Sequence, residues 1–338
     1  MTRYISRRAI LAIGVIAGVV VLTFLIARVI PGDPAVAWSG PHAPPSEIAH
    51  VREQLGLNRP VPVQVLKYFE GVATGNWGTS IHTHRPVLSD LRKAAPASLE
   101  LVGAALLIAV ALGIPLGLIS AARPGRPVDH IIRVGSIFGV SMPIFWMALI
   151  FQLLFFQKLH WLPVAGEYDP NVAFAHPLHT YTGMAVIDSA LSGNLPMLKS
   201  SMSHLLLPAI VVAAYPAGVI ARMVRATVLD TLGESHVQMV RALGFSERSV
   251  FARFSMKLAW SPVAAMIALV FAYSLVNTFL VESIFDWPGL GSYAAASISS
   301  LDTPAIVGVT LLIALVYVIA NLIVDVVQAL IDPRVRLQ

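Results

Sequence analysis

The sequence contains no cysteine, which excludes disulfides, thiolate metal sites and a cysteine nucleophile. Charge is scarce too. Asp, Glu, Lys and Arg make up 12% of the 338 residues, against roughly 25% in an ordinary soluble domain. No Gly-Lys dipeptide occurs, so a phosphate-binding loop of the G-x-x-x-x-G-K-[ST] form is absent and the chain cannot bind ATP that way. What is present is apolar: 57% of residues are hydrophobic and the mean hydropathy is +0.76. The charges are spaced unevenly, so the apolar excess lies in discrete runs, and water is not the main solvent. A formal charge of +5 and a pI near 9.6 are compatible with nucleic acid. The basic residues follow membrane topology instead, so lipid rather than nucleic acid is the expected partner.

A bilayer core about 30 Å thick needs roughly 20 apolar residues of helix at about 1.5 Å per residue. Six windows qualify, at 9–30, 97–122, 134–157, 201–221, 258–281 and 303–324. Their only charges are Arg28, near the outer end of the first, and Glu100, near the start of the second, and both can snorkel to the interface. With the N-terminus inside, the inner segments hold fourteen Lys and Arg, and the longer outer segments hold eight. That is the bias that keeps basic residues in the cytoplasm. Six is even, so both ends are expected inside, in one all-α transmembrane domain. A cleaved signal peptide is the alternative, with Arg7 and Arg8 as its basic region and Ala35-Val36-Ala37 as its cleavage site. The apolar run exceeds the 7 to 15 residues of a signal core, and Pro31 and Pro34 precede that site. Retention as an anchor fits better.

The extracytoplasmic segment 31–96 is too long for a simple connection and reads as a small folded cap. A short helix is predicted around 47–55, with Ser46 able to cap it, and a second over 63–72. His82 and His84 flank Thr83, a pair open to a metal or to plain solvation, with no third ligand nearby. Segment 158–200 is punctuated by proline and glycine and reads as irregular surface. Segment 282–302 carries three carboxylates and no basic residue, and its Phe285-Asp286-Trp287-Pro288-Gly289 turn suits the membrane interface.

The inner loop 222–257 is the most informative. Gly233 can end the extension of the fourth span, and Ser235 with Gln238 has the spacing of a capping box. His236, Met239, Val240 and Leu243 then share one face at helical spacing, and Gly244 stops the helix. Ser246 can cap the next helix, in which Val250, Phe251, Phe254 and Leu258 form an apolar stripe. A basic helix beside the membrane can lie on anionic headgroups, or it can dock into a cytoplasmic partner and transmit its motion.

Read together, these segments resemble the inner-membrane permeases of the dipeptide, oligopeptide and nickel class of ATP-binding-cassette importers, specifically the first of the two permeases in such systems. The similarity covers nearly the whole chain. It runs through Arg7-Arg8, Ile30-Pro31-Gly32-Asp33-Pro34, Leu55-Gly56-Leu57, Trp77-Gly78-Thr79-Ser80, Ser141-Met142-Pro143-Ile144-Phe145-Trp146, Leu207-Pro208-Ala209-Ile210, Asp286 to Gly291, Asn321 to Asp325 and Asp332-Pro333-Arg334-Val335-Arg336. The resemblance implies the type I importer permease fold, with the coupling motif falling on 234–262. It places ATPase coupling on Glu234, Ser235, His236, Gln238, Met239, Val240, Arg241, Ala242, Leu243, Gly244 and Phe245. This chain has Gln238-Met239-Val240-Arg241-Ala242-Leu243-Gly244 where such permeases carry an Arg-Thr-Ala-Arg-Ala-Lys-Gly-like run, which implies a co-adapted ATPase. The implied partners are a second permease, two cytoplasmic ATPase subunits or domains that hold ATP and Mg, and an extracytoplasmic solute-binding protein. No cofactor is expected on this chain. The implied role is non-enzymatic: half of a peptide pathway across the inner membrane. Nickel and oligosaccharides are the alternative cargoes.

Polar groups inside spans are costly, so Ser141, Tyr273, Ser274, Asn277 and Asn321 are candidates for the pathway or for interhelical hydrogen bonds, with Met142 beside the first. Asn321 and Asp325, one turn apart, suit an anchor at the inner end of the last span. A secondary transporter would instead need ionisable groups or broken helices near the midplane. An intramembrane hydrolase would need a partner for His204, which packing or capping explains more simply.

Overall fold

A computed structural model describes residues 2–29, 33–40, 42–251 and 256–331. Among them all extended regular structure is helical. The chain opens with α1 (Thr2–Val29), whose described apolar stretch is Ile13–Leu25. Asp33 caps α2 (Pro34–Ser39), its carboxylate accepting from the Ala35 amide at 3.0 Å. Then come α3 (Pro45–Gln54) and α4 (Val61–Thr74), the two short helices that the spacing predicts. Ser46 does not cap α3. Pro44 takes that place and Pro45 follows it, because a proline's fixed φ starts a helix without needing the missing amide.

The next helix, α5 (Val87–Ala122), begins at 87 rather than 97. Its extra turns are held by burial: Val87, Leu91 and Ala94 belong to a cluster with Leu290, Ala305 and Val309. The window 134–157 is not one straight helix. α6 (Pro127–Ser141) ends at Met142-Pro143, and α7 (Ile144–Phe151) continues as a π-helical turn, Gln152–Lys158, bent by 104° from α6. Pro143 lacks an amide and pushes Met142 to an extended ψ of 132°. Segment 158–200 is also more ordered than expected, with α8 (Pro170–Ala175) and α9 (Ala185–Leu191).

The longest helix, α10 (Leu195–Leu232), contains Pro208 and Pro216 without ending at either. It leads to α11 (Ser235–Ala242), the single turn α12 (Glu247–Ser249) and α13 (Met256–Ile284). α14 (Leu290–Ser299) and α15 (Thr303–Ile331) complete the chain. The side chains of Arg7, Arg8, Arg28, Leu258 and Asp325, and residues 30–32, 253, 254 and 332–336, lie outside what is described.

α10 is the central element, packed along α5 and also against α13 and α6. A methyl group at Gly113 of α5 would fall 2.8 Å from Ile220 Cγ2, and one at Gly117 would fall 2.6 Å from the Ala221 carbonyl oxygen. Bare backbone is therefore what lets α5 and α10 approach closely, a pattern of membrane bundles. Among the described residues four helices are long and apolar enough to cross a bilayer, namely α5, α10, α13 and α15, and a fifth span results if α6 and α7 count as one. One end of the bundle carries α2–α4, α8, α9 and α14, and we call it the cap end. The other carries α11 and α12, and we call it the loop end.

Candidate functional site

Carboxylates organise the cap end. Glu100 does not snorkel: it is 7% exposed and accepts from the Val186 and Ile187 amides at 2.9 and 3.4 Å, fastening α5 to the start of α9. Asp188, buried in α9, accepts from the amide and hydroxyl of Thr182 at 2.8 and 2.7 Å and from the Gly183 amide at 3.0 Å. Burial works to raise its pKa, but these hydrogen bonds outweigh burial and hold it below the usual carboxylate value. Glu167 lies beside them. Burial, and then the charge of Glu100, push its carboxyl up to about 7. The segment expected to be irregular surface is thus tied down by buried acids.

Phe285 and Trp287, expected at the membrane interface, are core residues at 1% and 0% exposure, and the indole N–H donates to the Ala97 carbonyl at 2.9 Å. Glu282 explains the turn around them. One oxygen accepts from the Ser98 hydroxyl and the other from the Gly291 amide, both at 2.6 Å. A methyl at Gly291 would lie 2.6 Å from the Phe279 Cα. Asp302 accepts from the Ser80 hydroxyl at 2.5 Å and the His82 amide at 3.0 Å, while the His84 ring meets Trp38 edge-on at 4.8 Å. The readable signal for these latches was an acid at the very edge of an apolar window, in segments rich in serine and glycine.

The loop end has a different character. Asp129, at the start of α6, is fully buried and accepts from Arg225 Nε at 2.7 Å and Nη2 at 2.9 Å, from the Gly125 amide at 2.9 Å and from the Ser120 hydroxyl. This bidentate pair joins the ends of α5, α6 and α10. Beyond it α10 stops at Gly233, and α11 begins one residue earlier than the capping box requires. Glu234 is its N-cap with no side-chain cap bond, and Gln238 turns back to donate to the Gly233 carbonyl at 3.1 Å. Ser235 is exposed. His236 Nδ1 lies 3.1 Å from Glu234 Oε2.

Val237, which the face pattern omitted, is the buried residue that seats α11, with Val240 half-buried. Met239, Leu243 and Phe245 are 62%, 67% and 45% exposed, and Ala242 is exposed beside them. Gly244 has φ +86°, the left-handed conformation that ends a helix and favours glycine. Arg241 forks onto Glu247 at 2.7 and 3.1 Å, binding the end of α11 to the start of α12. That hydrogen bond raises the Arg241 pKa and lowers that of Glu247. The result is two short helices joined by an exposed ion pair, with Met239 and Leu243 on an open apolar rim.

The candidate pathway residues do not share one environment. Ser141 and Met142 lie at the break between α6 and α7, where Met142 lines an apolar cleft of about 680 Å³ with Trp146, Phe138 and Ala217. In α13 Ser274 is buried and its hydroxyl donates to the Val270 carbonyl at 2.9 Å. Tyr273 and Asn277, one turn apart, are on the exposed face. Tyr273 stacks on Tyr215 of α10 at 4.7 Å, and the Asn277 amide donates to the Tyr273 carbonyl at 2.8 Å. His204 Nδ1 sits 2.8 Å from the Ser200 carbonyl, an intrahelical bond, and the Asn321 amide donates to the Tyr317 carbonyl at 3.0 Å.

The sequence that builds this bundle and its loop helix matches those of known proteins. Residues 113–337 match the family model described as binding-protein-dependent transport system inner membrane component, and residues 1–102 match that of its N-terminal membrane component. The chain belongs to this family. Its members are translocation subunits, so this permease is a non-enzymatic, multi-pass inner-membrane component of an ATP-binding-cassette importer. It is 38% identical over 321 residues to a protein of Escherichia coli K12 named a probable D,D-dipeptide transport system permease, covering 95% of this chain and 94% of the relative. It is 37% identical to a di/tripeptide transport system permease of Pseudomonas aeruginosa across the full length of both. It is 36% identical to a dipeptide transport system permease of Alkalihalophilus pseudofirmus, covering 99% of this chain and all of the relative.

Proposed function

We propose that this permease forms one half of the translocation pathway of a peptide importer and receives the ATPase stroke on α11. The observation that carries the peptide assignment is similarity along essentially the whole chain to permeases named for dipeptides and tripeptides. The exposed Met239 and Leu243 support the coupling role, because exposed apolar side chains on two short helices joined by Arg241–Glu247 suit docking into a cleft. In this reading the chain spans the membrane six times with both ends inside, so the cap end is extracytoplasmic and the loop end cytoplasmic. A second permease completes the pathway, two ATPase subunits or domains holding ATP and Mg sit under the loop end, and a solute-binding protein docks on the cap end. Closure of the ATPase pair moves α11, and the movement passes through α10 and the Asp129–Arg225 pair to α5 and α6. Tyr273 and Asn277 are the favoured conduit residues of α13, since Ser274 is turned inward.

The test is reconstitution of the complete transporter in proteoliposomes with its binding protein. Dipeptide should stimulate ATP hydrolysis and accumulate in the lumen, whereas nickel or an oligosaccharide should do neither. Uptake of nickel or sugar instead of peptide would overturn the substrate class, and full peptide-stimulated ATPase activity in a Leu243→Asp variant would overturn the coupling role.

A further inference from the structure

A second cavity lies far from the loop helix and from the pathway candidates. It is a cleft of about 270 Å³ at the cap end, between α4 and the adjoining ends of α1 and α15. Its wall is apolar: Phe24 from α1, Pro304 and Val307 from the first turns of α15, and Trp77. Its rim is cationic. Arg59 and Lys67 both line it and both are exposed, and neither has an ion-pair partner among the described residues. Tyr68 completes the wall, with a buried hydroxyl that makes no hydrogen bond there. A buried donor left without a partner is costly and points to a ligand oxygen.

The position of this cleft decides what fills it. Phe24 lies near the end of α1 and Val307 near the beginning of α15, so the opening stands where hydrocarbon gives way to headgroups. Tyr and Trp concentrate at that level, and Lys and Arg reach phosphate there. Beside the cleft α4 exposes Val63 and Leu66, the latter 68% exposed, as a helix lying in the interface would. An apolar wall, two exposed cations and a hydroxyl unmet among the described residues together match an amphiphile with a phosphate at its head.

We propose that this cleft is a structural phospholipid site for an anionic lipid. Its phosphate is bound by Arg59 and Lys67, one of its oxygens accepts from the Tyr68 hydroxyl, and the first carbons of an acyl chain lie against Phe24 and Val307. The volume takes a headgroup and the top of one chain, with the rest of the lipid in the bilayer. The lipid would fasten the cap to the bundle, since the cleft joins segment 34–81 to α1 and α15. The site stands independently of the transported substrate. The placing of its mouth at the membrane interface, which takes α1 as a span, and the assignment of its leaflet rest on the topology proposed above.

The experiment is native mass spectrometry of the complete transporter, delipidated and then titrated with phosphatidylglycerol, phosphatidylcholine or glycerophosphate without chains. Arg59→Gln/Lys67→Gln changes two exposed side chains, so before any lipid is added its thermal midpoint should match that of the delipidated parent. We expect one tightly retained phosphatidylglycerol per permease, weaker phosphatidylcholine, no retained glycerophosphate, and about tenfold weaker phosphatidylglycerol retention in the double variant from the loss of charge-assisted bonds. Tyr68→Phe should weaken retention by a smaller factor. Equal retention by parent and double variant would overturn the site. Glycerophosphate binding as tightly as the lipid would reduce it to an anion site. Unchanged lipid retention with weakened docking of the solute-binding protein would assign the cleft to protein instead.

Discussion

The two ends of the bundle solve opposite problems. At the cap end Glu100, Asp188, Glu282 and Asp302 are buried, and each accepts from amides or hydroxyls of neighbouring turns. At the loop end Asp129 and Arg225 form a well-bonded ion pair, and α11 beyond it leaves large apolar side chains in the open. An end whose buried carboxylates are met from within the chain can keep its shape without a neighbour, whereas one that exposes Met239 and Leu243 is completed by something else. The comparison separates structure that is built in from structure that awaits a partner.

The largest effect should come from breaking the loop end at its root. Asp129→Ala leaves Arg225 without its partner, and removing one member of a buried pair costs about 3–5 kcal/mol. The thermal midpoint of the purified permease complex should fall accordingly, and a fall no greater than that of an exposed carboxylate variant would show that Asp129 is solvated. Next comes Glu282→Ala at the cap end. It orphans the Ser98 hydroxyl and the Gly291 amide, for a loss of about 2–4 kcal/mol, taking the lower half of the range that an unmet buried donor costs for each. Glu282→Gln keeps an acceptor for one donor and should lose about half as much. If the alanine and glutamine variants melted together, the carboxylate would not be the latch.

Much of this was legible in the sequence because apolar length is a direct physical requirement of a bilayer. Four of the six windows fall within helices, the first does so as far as Val29, where the described part of α1 ends, one is broken by the proline that interrupts it, and Gly244 marked the end of α11 because a left-handed turn selects glycine. The latches were not legible. Glu100, Glu282 and Trp287 each suit a membrane interface as well as they suit a core, and only tertiary contacts 86, 184 and 190 residues away in sequence decide between the two. The start of α11 failed for a related reason. Ser235 and Gln238 have the capping spacing, but Gln238 finds the Gly233 carbonyl first.

A smaller effect sharpens the description of the cap end. Glu167 has a folded pKa of about 7 against an ordinary 4.5, raised by burial and by Glu100. Because the folded state holds this proton more tightly than the unfolded chain does, its contribution is fully present below about pH 4.5. It is lost as the pH rises through 7. Asp188 has the opposite sign, but it acts only as the pH falls below 3.8, outside this window. The thermal midpoint should therefore decline between pH 5 and pH 8, and Glu167→Gln should flatten the decline. An identical slope in the variant would place the titration elsewhere.

The smallest expected change in stability is the most informative. Met239→Ser/Leu243→Ser removes two exposed side chains, so stability should change by no more than about 0.5 kcal/mol per site and the midpoint should barely move. If α11 is completed by a cytoplasmic partner, the same variant should lose peptide-stimulated ATP hydrolysis and recover less ATPase on purification, although the permease itself folds normally. Val237→Ser separates fold from docking, because Val237 is the buried residue that seats α11. It should lower stability and coupling together. A Met239→Ser/Leu243→Ser variant that melted early would show that these side chains already pack within the chain, and the contrast between a finished end and an unfinished one would fail.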